Sequence, residues 1–84
     1  MDPKKTLEKA LAGSRNIRFG DLVSLAQALG FVKKRTSGSH TIFSHPDIPK
    51  LLNIQDASGQ AKPYQVRQLL RLVEMYDLRI GESE

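Results

Sequence analysis

The chain has 84 residues, no cysteine, no tryptophan and a formal net charge of +4. A chain this short supports one modest core, and without cysteine it has neither disulfides nor a thiolate zinc site. No apolar run approaches the length needed to span a bilayer and Met1 is not followed by an apolar signal core, so a soluble, cytoplasmic protein is expected.

The positive excess is uneven. Lys4, Lys5, Lys9, Arg15 and Arg18 outnumber Asp2 and Glu8 in the N-terminal arm, and Lys33, Lys34, Arg35 and Lys50 outnumber Asp47 further on. From residue 60 onward the charges balance. A basic excess of this kind can meet a phosphate backbone, an acidic protein or only solvent.

In chain order, Asp2-Pro3 is a helix start, with Asp as N-cap and Pro at the first helical position. Leu7, Ala10 and Leu11 give a thin apolar stripe and Gly13 a stop, which predicts a short helix over 3–12 followed by a Ser14–Asn16 linker. So short a helix needs docking to be stable. Phe19, Leu22, Val23, Ala26 and Leu29 then repeat at helical spacing, from a start at Gly20 or Asp21 to a left-handed stop at Gly30. Phe31–Arg35 reads as a first strand and His40–Ser44 as a second.

Alternation puts His40, Ile42 and Ser44 on one side of that second strand and Thr41, Phe43 and His45 on the other. If Ile42 faces the helices, His40 points the same way; if Phe43 does, His40 lies on the open side. His45–Pro49 reads as a loop because two prolines deny it ladder donors. Leu51–Gln55 is a third strand and Asp56–Gln60 a turn. Pro63 opens a last helix with Val66, Leu69, Leu70 and Val73 on its apolar face and Arg67 and Arg71 on its polar side. Gly81–Glu84 is expected to be a frayed tail.

The chemistry concentrates at Arg35-Thr36-Ser37-Gly38-Ser39-His40. Gly38 can adopt positive φ and so reverse the chain between the strands. Three basic residues lead into the reversal and an imidazole, which exchanges protons near neutral pH, follows it. Lys33, Lys34, Arg35 and the Ser39 hydroxyl are candidate phosphate ligands, and His40 is the candidate acid or base. Taken by spacing alone, a histidine after a hairpin turn is more often structural.

His45 would lie about 16 Å from His40 in one extended strand, on the other side of it, and reads as a loop anchor. A metal site of the two histidines with Asp47 does not fit hairpin or helical ligand spacing, and no metal or other cofactor is expected. Arg67 and Arg71 read as solvated, and Phe31, Phe43 and Tyr64 as core rather than base-stacking platforms.

A helix ending in Ala28-Leu29-Gly30-Phe31, a basic strand, Gly38-Ser39-His40, Ile42-Phe43, His45-Pro46 and a final helix carrying Arg67-Gln68-Leu69-Leu70 together resemble the HicA family. These are small bacterial toxins that cleave messenger RNA and are restrained by a HicB antitoxin. The resemblance runs from about Arg18 to Leu78, with Gly-Ser-His its most specific piece. It implies an α+β fold, a three-stranded antiparallel sheet with two helices on one face in the order α-β-β-β-α, like a double-stranded-RNA-binding domain.

The resemblance also implies that His40 matches the catalytic histidine, that mRNA and a HicB-like antitoxin are the partners, and that the function is metal-independent endoribonuclease. The chain departs from short members in two ways. It lacks their Pro-x-His segment after the third strand, and residues 1–16 are an extension preceding a HicA-like domain over 17–80. Two other functions fit the same scaffold: a non-catalytic RNA-binding module and a protein-interaction domain.

Overall fold

A computed structural model describes residues 1–81; the tail expected over 81–84 lies, beyond Gly81, outside the described residues. Helix α1 spans Pro3–Leu11, α2 Phe19–Ala28 and α3 Pro63–Tyr76. Strands β1 (Val32–Ser37), β2 (His40–His45), β3 (Ile48–Ala57) and β4 (Gln60–Ala61) form one antiparallel sheet in the order β1-β2-β3-β4. The α+β class holds, with the two-residue β4 added to the three strands expected. No helix among the described residues is long and apolar enough to cross a membrane.

Helices α1 and α3 start where their sequence puts them, at Pro3 and Pro63. The Asp2 carboxylate accepts from the Lys4 N–H at 2.9 Å and Pro3 follows it, which caps α1. The stability α1 lacks alone comes from packing on α2 and α3, with Thr6 and Ala10 buried. Leu11, expected on the apolar stripe, is exposed. Helix α2 begins at Phe19, slightly earlier than its acidic residue suggested. Ile17, just before it, is buried and its carbonyl accepts from the Ala61 N–H at 2.8 Å, so the chain entering α2 is hydrogen-bonded to β4.

The strands run longer than their apolar residues indicated. β2 continues through His45 and β3 begins at Ile48, so only Pro46 and Asp47 remain of the expected loop. Pro49 is accommodated because the pairing jumps from Phe43↔Leu52 to His45↔Ile48, leaving it out of the ladder. At its far end β3 reaches Ala57, and Ser58 and Gly59, with φ of 55° and 87°, turn the chain into β4. Two consecutive positive φ values are the hairpin geometry that matches strand twist.

The core lies between the helices and one face of the sheet. Phe43, Leu52 and Ile54 are wholly buried there with Leu22, Leu25 and Leu69. Gly30 ends α2 with φ +101°, and a Cβ on it would lie 2.7 Å from His45 Nε2. Its lack of a side chain therefore serves both the turn and the approach of that ring.

Gly38, with φ +59°, has open space around it. Gly38→Ala is expected to cost only its conformational strain, about 1–3 kcal/mol. Gly30→Ala adds a collision with His45 and should cost more. Urea unfolding of both variants checks the order, and an equal or smaller loss at Gly30 would refute the packing argument.

Candidate active site

β2 settles which side His40 occupies. Thr41, Phe43 and His45 are buried against the helices, so His40, Ile42 and Ser44 form the row on the open side of the sheet, and His40 is exposed. Residues facing each other across a ladder share a side. On β1 the partners of His40, Ile42 and Ser44 are Ser37, Arg35 and Val32; on β3 Gln55 faces His40 and Asn53 faces Ile42.

A bulge decides the basic residues. Lys33 pairs with Phe43, but the register shifts before Arg35, which pairs with Ile42 and leaves Lys34 without a ladder partner. One extra residue reverses the alternation beyond it. Arg35 therefore joins the His40 face, whereas Lys33 belongs to the opposite face. Both are exposed, because β1 is an edge strand exposed along its whole length. Of the four candidate phosphate ligands, Arg35 is brought to the histidine's face, Ser39 sits in the adjoining turn, and Lys33 is turned from it.

That turn is held in place. The Ser39 carbonyl accepts from the Asp56 N–H at 2.8 Å, and Gln55 Nε2 donates to Ser39 Oγ at 3.5 Å. Gln55 itself is tied to α3, its N–H donating to Gln65 Oε1 at 2.7 Å with Gln65 buried. On the open face, His40 Nδ1 lies 3.0 Å from Asn53 Oδ1. Neither Asn53 nor Gln55 figures among the sequence candidates, although the Leu52 and Ile54 alternation already places both outward once β3 is paired.

His45 is different. Its Nδ1 accepts from the Asp47 N–H at 3.1 Å and its Nε2 lies 3.0 Å from the Leu29 carbonyl, to which it donates. The ring packs edge-on against Phe31, centroids 5.0 Å apart. Both nitrogens are occupied by backbone. Phe31 and Phe43 are buried as expected of core aromatics, while Tyr64, expected with them, is exposed. Arg67 and Arg71 are exposed on α3.

Among the described residues, concave parts of the surface lie between α1 and the Leu78–Gly81 segment and between α1 and α3. Among the described residues no group of three His, Cys, Asp or Glu is placed to hold a metal ion. His40 thus stands on an open, basic-edged sheet surface. Such a surface suits a long polymer better than a small molecule, which needs a cleft to bury it.

Residues 19–75 match a protein-family model described as the HicA toxin of bacterial toxin-antitoxin systems. No curated protein and no solved structure matches the chain.

The two histidines should separate in stability measurements. His45→Ala strands the Asp47 N–H and the Leu29 carbonyl and empties a packed site, for a cost of about 2–4 kcal/mol. His40→Ala, on the surface, should stay within about 0.5 kcal/mol of wild type. Similar losses in urea melts would refute the structural assignment of His45.

Proposed function

The chain belongs to the HicA toxin family of bacterial toxin-antitoxin systems, and we propose that it is an endoribonuclease that cuts messenger RNA without a metal. In this reading His40 performs acid/base catalysis, Lys33, Lys34, Arg35 and Ser39 hold phosphates, and a HicB-like antitoxin is the restraining partner. The observation that carries it is the exposed imidazole on the same sheet face as Arg35, reached by a polymer without entering a cleft.

RNA supplies its own nucleophile in the 2′-hydroxyl. The 2′-oxygen bonds to phosphorus as it loses its proton, the bond from phosphorus to the 5′-oxygen breaks, and that oxygen takes up a proton. The products are a 2′,3′-cyclic phosphate and a 5′-hydroxyl, with no net proton consumed. Catalysis requires a group that moves protons at one of these oxygens and cations that offset the charge growing on phosphate. His40 fills the first role and Arg35, on the same face, the second. A basic edge strand of this kind also suits an acidic protein that covers it and so blocks the RNA.

Purified messenger RNA incubated with the protein in excess EDTA should be cleaved, and His40→Ala should slow cleavage by about 10²–10⁴-fold, the usual worth of one positioned proton-transfer group. Equal inactivity of both proteins, or equal activity, would sink the reading.

The bulge gives a second expectation. Arg35→Ala should weaken RNA binding and reduce the slope of log affinity against log salt by about 0.7, as for one lost phosphate contact on a single strand. Lys33→Ala, on the other face, should change that slope less. The reverse order in a salt titration would contradict the register-based assignment.

A further inference from the structure

A neutral imidazole carries one proton, and the partner of one nitrogen dictates which nitrogen that is. The two histidines of this chain are held in opposite states. His45 accepts at Nδ1 from Asp47 and donates at Nε2 to Leu29, so its proton is on Nε2 and nothing is left to react. His40 has its Nδ1 3.0 Å from Asn53 Oδ1. A carbonyl oxygen only accepts, so Nδ1 carries the proton, and Nε2 keeps its lone pair with no hydrogen-bond partner among the described residues.

Asn53 is poorly suited to its place on other grounds. It sits exposed in β3 between the wholly buried Leu52 and Ile54, and asparagine is depleted in strands. Its position opposite Ile42, two pairs along from His40↔Gln55 and on the same face, is a diagonal from which a side chain can reach the imidazole. Leu52 and Ile54, packed in the core, hold the backbone that presents it.

We infer that Asn53 is a positioning residue that holds His40 as its Nδ1-protonated tautomer and so makes Nε2 the catalytic base, an inference that rests on the ribonuclease reading above. Nε2 takes the proton of the 2′-hydroxyl while the 2′-oxygen bonds to phosphorus. The phosphorus bond to the 5′-oxygen breaks, and that oxygen receives a proton from water; the hydroxide left behind then takes the proton from Nε2 and restores the neutral ring. In between, the ring is an imidazolium whose Nδ1–H still donates to Asn53, a hydrogen bond that strengthens as the charge arrives. Asn53 touches no reacting atom; it acts through the ring.

The test measures tautomer and turnover separately, in wild type, Asn53→Leu and Asn53→Asp. Nitrogen chemical shifts of the His40 ring, read above its titration, report which nitrogen is protonated with no need for RNA. Wild type should show the Nδ1–H form. Asn53→Leu should lose it, and its kcat on messenger RNA should fall at least about 10–100-fold, the cost typical of removing the hydrogen-bond partner that orients a metal-bound histidine, with KM little changed. Asn53→Asp keeps an acceptor oxygen at the same reach, so it should keep the Nδ1–H form and recover most of kcat.

A wild-type ring protonated on Nε2 would overturn the inference whatever happens to RNA, as would unchanged kcat in Asn53→Leu. An Nδ1–H ring in a wild-type protein that cuts no RNA would instead overturn the ribonuclease reading, leaving the Asn53 bond purely structural.

Discussion

The imidazole of His45 joins three parts of the molecule. Its Nε2 reaches the carbonyl of Leu29 at the end of α2, its Nδ1 receives the N–H of Asp47 in the β2–β3 turn, and its ring lies against Phe31 at the approach to β1. The ring fits because Gly30 has no side chain. Helix end, turn and strand are thereby set relative to one another by directional bonds in a buried place, where an unmade bond is costly.

With His45 and Phe43 facing inward, the side of every other residue in β2 is decided. A strand alternates, so a residue three before Phe43 faces out. His40 is therefore exposed as a direct consequence of what its strand must bury. The turn beside it is fastened to β3 through Ser39, and β3 to α3 through Gln55 and Gln65. The open face is thus carried on the core's framework rather than on a loose loop, which is what a proposed catalytic group needs to keep its geometry.

The same side chain does opposite things at two positions five residues apart. His45 is spent on backbone groups and has no free nitrogen. His40 has one polar neighbour and one open nitrogen, on a face whose edge carries Arg35. Environment, not residue type, separates an anchor from a proposed proton carrier. The bulge at Lys34 makes a similar division among the cations, because it moves Arg35 to the face that a regular strand would have given to its neighbours.

The amino-acid sequence by itself determined the local elements. The Asp2-Pro3 start, the α2 stripe from Phe19 to Leu29, the Gly30 stop, the Gly38 reversal and the Pro63 start are all legible, since caps, periodicity and positive φ depend on residues close in the chain. So was the HicA resemblance, which rests on their order. What only the tertiary structure decided depends on partners distant in sequence. The side of β2 that meets the helices, the parity change at the bulge, the extension of β3 to Ala57 with its short β4, and the exposure of Leu11 and Tyr64 all follow from pairing and burial. Asn53 belongs with these. Nothing near it in the chain marks it, and it meets His40 only because antiparallel pairing sets two strands in one register.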